Sequence, residues 1–255
     1  MKTLDRYTPL QIREAFHLEF LRRLAGKLKP RDYALKGGVN MRLFYASVRY
    51  SEDMDLDITR VSVGVLQDTV MAILNSANFI AGLKPFGVAQ LTAPDMAKAK
   101  QTETTQRFKI HLISAAGEDF FTKIEFSRRG LDSGAVAAQI PAAILRPYRF
   151  APIIVSHYDA AAAFRQKLQA LANRKAVQAR DIFDLNVLLS QVDPDVSASV
   201  ALPTLKKALE NLYSVSYGQF RDTVLTYLAE EDCKVYGNPS AWDEMKLRVA
   251  EVLEK

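Results

Sequence analysis

Two kinds of hydrophobic pattern divide the sequence. In the first part, helical spacing of apolar residues is interspersed with short runs in which apolar and polar residues alternate, and the alternation predicts strands. Helices are predicted over residues 8–28, 39–45 and 65–77, and strands over residues 33–35, 54–58, 107–113 and 121–127. After about residue 150 only helical spacing remains. The pattern therefore predicts an α+β fold, with a mixed β-sheet and flanking helices followed by an all-helical C-terminal half.

The boundary between the two halves is predicted in an Ala- and Pro-rich segment at residues 133–152, which resembles a crossover. We therefore expect an α/β core over residues 1–150 and a helical domain over residues 151–255. Helices of the second domain are predicted over residues 159–173, 181–191, 202–213, 220–229 and 241–253.

Composition narrows the class of protein. The chain has 255 residues, of which 49% are hydrophobic and 25% charged, as in an ordinary globular protein. No run approaches the roughly 18–20 apolar residues of a membrane span, and residues 1–6 lack an apolar signal core. A single cysteine, Cys233, excludes an internal disulfide framework. We therefore expect a cytoplasmic protein without a membrane partner, and the net charge of +5 suggests an anionic partner.

Three aspartates occupy the predicted strand at residues 54–58 and its start. Period-two spacing puts Asp53, Asp55 and Asp57 on one face of the strand. Aspartate is disfavoured in strands, and like charges this close repel one another unless a cation lies between them. The pattern favours a divalent-metal site that holds a phosphate, although an acidic edge strand facing water has the same pattern.

A Gly37-Gly38 pair follows the apolar strand at residues 33–35 and precedes a predicted short helix. Such a turn leaves backbone N–H groups free to approach a phosphate. Two carboxylates on a strand suit Mg²⁺, which prefers oxygen ligands and keeps substrate phosphates in its shell. Glu125, on the same face of its strand as Lys123, is the candidate third carboxylate. A surface salt bridge between Glu125 and Lys123 or an arginine is the alternative.

Two ordered motifs resemble a known family. The first covers Leu35–Gly38, Arg42–Leu43 and Arg49–Asp57, and the second covers Lys167–Leu171, Arg174 and Arg180–Leu185. Together they are similar to the AbiEii/AbiGii-type toxin nucleotidyltransferases, of the DNA-polymerase-β-like nucleotidyltransferase superfamily. The resemblance covers roughly residues 30–190. One departure is Ala46-Ser47, where many members have Gly-Ser, and it puts a glycine-dependent backbone contact there in doubt.

The resemblance implies a set of functional residues. Phosphate binding falls to Gly37 and Gly38, and metal and triphosphate binding to Ser51, Asp53 and Asp55. It also implies active-site roles in the helical domain for Lys167, Asp181 and Asp184. We further expect Lys123 and Arg174 to contact the nucleotide and Glu125 to complete the metal site. The implied cofactor is Mg²⁺ or Mn²⁺, with a nucleoside triphosphate as co-substrate.

The spacing within the second motif leaves roles open. Asp181 lies at a predicted helix start, where an N-cap role competes with catalysis. Asp184, one turn later, could orient the acceptor hydroxyl or hold Lys167 or Arg180 in place. The three histidines, His17, His111 and His157, lack the spacing of metal ligands and are interpreted as structural or surface residues.

The hypothesis is a Mg²⁺-dependent nucleotidyltransferase that transfers NMP from NTP to an acceptor hydroxyl and releases pyrophosphate. By resemblance it is the toxin of a toxin–antitoxin or phage-defence pair, with tRNA as the expected acceptor and an antitoxin encoded by a neighbouring gene. Two alternatives stay open. One is transfer to a protein Ser, Thr or Tyr, and the other is a non-catalytic module that binds nucleotide or a partner.

Overall fold

The computed structural model of the protein describes residues 7–254. The expectation that residues 1–6 carry no export signal lies outside the described residues. The chain forms two compact units: the first comprises the chain up to Asn40 together with Tyr50–His157, and the second comprises Met41–Arg49 together with the chain from Tyr158 onward. Within residues 7–254 no single helix has the length and apolar composition to cross a membrane, although the bent pair Val63–Leu74 and Ala77–Phe86 meets both criteria jointly.

The first unit contains the β-sheet. Its helices are α1 (Pro9–Ala25), α2 (Gly37–Phe44, through which the boundary between the units passes), α3 (Val63–Leu74), α4 (Ala77–Leu83) and α5 (Ala142–Leu145). Its strands are β1 (Tyr33–Lys36), β2 (Asp53–Ile58), β3 (Val88–Thr92), β4 (Thr105–Ser114), β5 (Asp119–Ser127), β6 (Ala135–Gln139) and β7 (Ile154–Tyr158).

These strands form one mixed sheet. In the described chain its order is β3-β4-β5-β2-β1-β7-β6. Strand β2 runs antiparallel to β1 and parallel to β5, and β5 runs antiparallel to β4. Strand β2, which carries the three aspartates, therefore lies in the middle of the sheet. This position excludes the acidic edge strand that the sequence left open.

Local sequence explains how the sheet is covered. Helix α1 begins with Pro9 behind a capping box in which Thr8 accepts from the backbone of Gln11 while the Gln11 side chain caps Thr8 in return, as predicted. The buried face of α1 packs on the sheet and on α3 and α4, and Phe16 meets Phe79 of α4 edge to face with ring centroids 5.7 Å apart. One face of the sheet is thereby closed by apolar packing, which leaves the other face for polar side chains.

The second unit is helical. Its helices are α6 (Ala160–Asn173), α7 (Ala179–Leu188), α8 (Leu202–Ser214), α9 (Tyr217–Thr223), α10 (Glu230–Tyr236) and α11 (Pro239–Leu253). Helices α6, α7, α8 and α11 pack on a shared core. In that core Phe220 stacks on Trp242 with ring centroids 4.4 Å apart. The predicted α+β fold with a helical C-terminal half is therefore confirmed.

Several predicted elements differ from those observed. The helix predicted over residues 65–77 is two helices, because Ser76 adopts an extended backbone between them. The predicted crossover at residues 133–152 contains β6 and α5. The helix predicted at residues 220–229 ends at Thr223. The strand predicted over residues 121–127 begins at Asp119; its Phe121 lies on the polar face, whereas Phe120 and Thr122 are buried with Ile124 and Phe126.

Candidate active site

The Gly37-Gly38 pair forms the junction between β1 and helix α2. Gly37 has φ 69°, a left-handed conformation that is strained for residues with a side chain. A Cβ at Gly37 would lie only 2.8 Å from Asp55 Oδ2. Glycine is therefore needed at position 37 for two reasons: the backbone conformation and the close approach of Asp55. The first backbone N–H groups of α2 have no partners within the helix, as at any helix start.

The strand register brings the predicted carboxylates into adjacent positions. Asp55 of β2 is paired with Glu125 of β5, and Asp53 is paired with Lys123. Paired residues of neighbouring strands point to the same face of a sheet. Asp53, Asp55 and Glu125 therefore share one face, as the sequence predicted.

Cations from three strands approach these carboxylates. Lys123 Nζ lies 2.8 Å from Asp53 Oδ2, and Arg107 Nε lies 2.7 Å from Glu125 Oε2. The sequence had left a metal ligand and an arginine pair as alternatives for Glu125, and the arginine pair is present. Asp57 is bound by Lys36 on β1, with Lys36 Nζ 2.5 Å from Asp57 Oδ1.

Two observations on Asp53 and Asp55 fit the binding of a divalent cation. Asp53 Oδ1 is buried and has no hydrogen-bond partner among the described residues, and an unpaired buried carboxylate oxygen is costly. Burial raises the pKa of Asp55. The nearby carboxylates of Glu125 and Asp53 raise this pKa further, whereas the cations Lys36 and Lys123 lower it. A divalent cation would satisfy the Asp53 oxygen and stabilise the charged form of Asp55.

Two features therefore fit a metal ion: Asp53 Oδ1, which has no hydrogen-bond partner among the described residues, and the Asp55 carboxylate, which has other carboxylates nearby. In residues 7–254 no three His, Cys, Asp or Glu side chains converge as a ready-made metal cluster. Asp53 and Glu125 each hold a cation of their own through one oxygen. Asp53 and Asp55 therefore fit a metal that also takes oxygen ligands from its substrate, the arrangement common for Mg²⁺.

A buried relay of hydrogen bonds runs from His17 through Thr122 to the carbonyl of Glu52, the residue before Asp53 in the sequence. The hydroxyl of Thr122 donates to the carbonyl of Glu52 at 2.6 Å, so it must accept from His17, whose Nε2 is 3.1 Å away. Burial and nearby Arg13 lower the pKa of His17 to about 3, and the ring is therefore neutral with its proton on Nε2. This geometry confirms His17 as a structural residue.

The predicted residue Ser51 makes a contact on the other side of Asp53. Its Oγ donates to the Asp53 carbonyl at 2.8 Å. Hydroxyl groups therefore bind both carbonyls beside the Asp53 side chain: Thr122 binds that of Glu52, and Ser51 binds that of Asp53 itself. This arrangement restricts the direction in which the Asp53 carboxylate points.

The second motif forms a buried ion-pair network inside the second unit. Asp184 is fully buried, and Lys167 Nζ lies 2.6 Å from its Oδ2. Arg49 binds the same carboxylate through Nε and Nη2 at 3.0–3.3 Å. Burial alone would raise the pKa of Asp184, but Arg49 and Lys167 outweigh it and lower the pKa below its ordinary value. Of the predicted options for Asp184, holding Lys167 is the one this geometry supports, and its arginine partner is Arg49.

Asp181 joins the network and does not cap a helix. Helix α7 begins at Ala179 behind Gln178, so Asp181 lies in the first turn and the N-cap interpretation is wrong. Asp181 Oδ1 lies 3.4 Å from Lys167 Nζ, and its Oδ2 lies 2.9 Å from Arg174 Nε, although this contact is not aligned as a hydrogen bond. Lys167 of α6 and Arg174, the C-cap residue of that helix, therefore meet the same carboxylate.

Sequence reasoning missed three residues of these arrangements: Arg49, Arg107 and Thr122. Thr122 carried a usable signal, because it is the polar member of the alternation of Phe120, Ile124 and Phe126. A polar residue at a core position needs a buried partner. No comparable local signal marks Arg49, whose partner Asp184 lies 135 residues away in the sequence.

Known proteins resemble this chain in sequence and in fold. The profile of the family described as "Nucleotidyl transferase AbiEii toxin, Type IV TA system" matches residues 19–247. No curated protein matched the sequence.

Solved structures share the fold. The nucleotidyltransferase toxin MenT4 (Rv2826c) from Mycobacterium tuberculosis H37Rv superposes with a TM-score of 0.65 at 15% identity, covering 97% of this chain and 84% of that one. JHP933 from Helicobacter pylori gives 0.59 at 18% identity, with 97% and 94% covered. A structure described as a putative nucleotidyltransferase from H. pylori gives 0.56 at 16% identity, again with 97% and 94% covered.

Proposed function

The chain belongs to the AbiEii family of nucleotidyltransferase toxins, and we propose that it transfers NMP from an NTP to an acceptor hydroxyl in a reaction that depends on Mg²⁺ or Mn²⁺. The observation that carries the metal dependence is the buried, unpartnered Asp53 Oδ1 beside the crowded carboxylate of Asp55. When bound, the divalent cation would neutralise phosphate charge and acidify the attacking hydroxyl. Asp53 and Asp55 would hold it, with Glu125 as the candidate third ligand.

The protein's own residues then bind and orient the substrates. Gly37 and Gly38 let the start of α2 approach a phosphate, and its free backbone N–H groups can donate to the phosphate oxygens. Lys123, 2.8 Å from Asp53, is placed to bind a phosphate oxygen that approaches that carboxylate. Ser51 and Thr122 fix the backbone on each side of Asp53.

The chemistry is an in-line displacement. The acceptor oxygen forms a bond to the α-phosphorus, the bond to the bridging oxygen of the β-phosphate breaks, the hydroxyl releases its proton to water and pyrophosphate leaves. Positioning and charge neutralisation account for most of the rate enhancement in such reactions. An enzyme of this kind therefore needs fixed donors and carboxylates more than a nucleophilic side chain.

The residues of the second motif keep the roles that the resemblance implies, as proposals. We propose that Lys167 binds the triphosphate and that Arg174 contributes to nucleotide binding. Asp181 and Asp184 are buried and bound by cations, which supports a role in holding Lys167 and Arg174 in place. A low pKa of Asp184 makes it a poor proton acceptor near neutral pH.

For the biological setting we propose a toxin that modifies tRNA and is neutralised by an antitoxin. Family membership supports the toxin–antitoxin setting, and the similar structure of MenT4 is itself described as a nucleotidyltransferase toxin. The net charge of +5 suits a polyanionic acceptor. A role in antiviral defence and a cytoplasmic location are further predictions from the sequence.

The test is transfer of label from α-³²P nucleotides. Each of the four NTPs is incubated with the protein, Mg²⁺ or Mn²⁺, and total RNA or cell extract. We expect label in the tRNA band, its loss in Asp55→Asn, and its retention in Asp68→Asn, a matched change at an exposed carboxylate of α3.

The remaining outcomes separate the alternatives. Label found in protein and absent from RNA would refute the tRNA acceptor and support transfer to Ser, Thr or Tyr. A non-catalytic binding module would incorporate no label with any nucleotide, and its toxicity in cells would survive Asp55→Asn. Chelation of the divalent cation should abolish incorporation, and incorporation that persists in excess chelator would contradict the metal dependence.

A further inference from the structure

A cavity of about 440 Å³ in the first unit plays no part in the proposed chemistry. It lies between β4 and the segment at residues 93–100. Four of its lining residues are cations, Lys98, Lys100, Arg107 and Lys109, and we call this cavity with its four cations the basic cleft.

The strand register explains why the basic cleft exists. Thr92 is paired with His111, and Gln101 is bridged to Gln106. The eight residues 93–100 must therefore span a stretch of β4 that is only four residues long, 107–110, and they loop away from the strand. The cleft is the space between this loop and β4.

The loop is tied to β4 at its end. The backbone N–H of Arg107 donates to the carbonyl of Lys100 at 2.8 Å. The side chain of Gln101 donates to the carbonyl of Arg107 at 3.1 Å and accepts from Gln106 at 2.7 Å. This end of the loop is therefore preorganised by hydrogen bonds, which reduces the conformational entropy lost when a ligand binds in the cleft.

Three of the four cations of the basic cleft are poorly neutralised by the protein itself, whereas Arg107 is bound by Glu125. Lys109 is paired across the strands with Lys123, and like charges directly opposite one another destabilise a sheet. Within residues 7–254, Lys100 and Lys109 form no ion pair, and Lys98 has only a 3.5 Å contact with Asp95 in which both side chains are largely exposed. A bound anion would remove this repulsion.

The register also connects the cleft to the candidate active site. Arg107 is paired with Glu125, which is paired with Asp55, and Lys109 is paired with Lys123, which is paired with Asp53. The cleft cations on β4 therefore lie on the same face of the sheet as the aspartates, two strands away. Neighbouring strands lie about 4.8 Å apart, so the cleft cations on β4 lie about 10 Å across the sheet from the carboxylates of β2.

We propose that the basic cleft binds the phosphodiester backbone of a single-stranded nucleic acid whose terminal hydroxyl is the acceptor. This inference rests on the proposed function. Repeated phosphates match a row of lysine and arginine side chains. An acidic peptide fits less well, because a peptide beside a strand binds mainly through backbone hydrogen bonds, and the N–H and carbonyl of Arg107 are already bonded.

The test compares two triple variants with the same change in charge. The cleft variant is Lys98→Gln, Lys100→Gln and Lys109→Gln. The control changes three exposed lysines of the second unit, Lys206, Lys207 and Lys234, to glutamine. Binding of a fluorescent 12-nucleotide RNA is measured by anisotropy over a range of salt concentrations, with thermal unfolding of each variant as a check of folding.

We expect the cleft variant to bind RNA at least ten times more weakly at low salt. The slope of log K against log salt should become shallower by about 2, from roughly 0.7 per charge removed for single strands. The control should match the wild type in both. Equal affinity and slope in the cleft variant would overturn the inference, and so would equally effective competition by polyglutamate at matched charge.

A second pair of measurements distinguishes failure of this inference from failure of the proposed function. Asp55→Asn should lose label transfer while it keeps RNA binding, and the cleft variant should keep Mn²⁺–NTP binding while it loses RNA binding. If no variant or condition supports label transfer but the cleft still accounts for RNA binding, the proposed reaction fails and cleft binding stands. If transfer to RNA proceeds normally in the cleft variant, the inference fails and the reaction stands.

Discussion

The relay from His17 through Thr122 to Glu52 gives a sharp prediction for Thr122→Val. Valine has nearly the same shape as threonine but lacks the hydroxyl. The substitution removes the hydroxyl that accepts from the Nε2–H of His17 and donates to the Glu52 carbonyl at 2.6 Å. Each of these two hydrogen bonds contributes roughly 0.5–1.5 kcal/mol. The free energy of unfolding should therefore fall by about 1–3 kcal/mol.

A change in function should accompany the loss of stability, because the Glu52 carbonyl belongs to the peptide bond in front of Asp53. Misplacement of a reacting group by about 1 Å can reduce the rate by on the order of 100-fold. We expect Thr122→Val to raise the Mn²⁺ concentration needed for half-maximal label transfer. Thr122→Ser keeps the hydroxyl and loses one methyl group, so it should cost only about 1 kcal/mol of stability and keep metal activation near the wild-type value.

Urea unfolding and Mn²⁺ activation curves measured well below the melting temperature test this prediction. Leu112→Ala, a truncation at a fully buried site on β4, is the control for lost stability alone, since a cavity there should cost about 2–5 kcal/mol. If Thr122→Val shows the same metal activation as Leu112→Ala, the relay is structural only. If Thr122→Val is as stable as the wild type, the hydrogen-bond assignment is wrong.

Three further predictions follow from backbone conformation and burial. His17 has a pKa of about 3 in the folded protein and 6.5 when unperturbed, so between these pH values the unfolded chain binds one proton more than the folded chain. The free energy of unfolding should therefore fall by about 1.4 kcal/mol for each unit by which the pH decreases within this range. His17→Gln should flatten this pH dependence in calorimetry. Gly37→Ala and Gly87→Ala both place a side chain at positive φ, but only position 37 meets Asp55; both should lose about 1–2 kcal/mol in urea unfolding, whereas label transfer should drop only in Gly37→Ala, and an equal drop in Gly87→Ala would refute the close-approach argument. Ala46 has φ 53°, so Ala46→Gly should relieve backbone strain. The greater flexibility of glycine in the unfolded chain offsets part of this gain, and the free energy of unfolding should rise by up to about 1 kcal/mol. A loss of stability in thermal unfolding would contradict this.

The sequence predicted the carboxylate face well because strand periodicity is a local property. Period-two spacing was enough to put Asp53 and Asp55 on one face of β2 and, separately, Lys123 and Glu125 on one face of β5. The pairing of β2 with β5 was not predictable in this way, since the paired residues of the two strands are 70 positions apart in the sequence. That pairing is what places Asp55 beside Glu125.

The errors in the prediction share a physical origin. The local sequence allows an N-cap at Asp181, but the buried Lys167 and the exposed Arg174 determine where its side chain lies. Arg49 was missed for the same reason, because its binding to Asp184 is a long-range contact. Ala46 departs from the glycine that many members of the family have, and its left-handed backbone gives a physical reason for that glycine.

The central claim is that Asp53 and Asp55 together bind the divalent cation and its triphosphate. Titration of Mn²⁺ into the protein with a non-hydrolysable NTP analogue, followed by electron paramagnetic resonance of free Mn²⁺, measures this directly. We predict that Asp53→Asn and Asp55→Asn each weaken Mn²⁺ binding by at least tenfold and that Asp68→Asn leaves it unchanged. Wild-type Mn²⁺ affinity in both site variants would contradict the account.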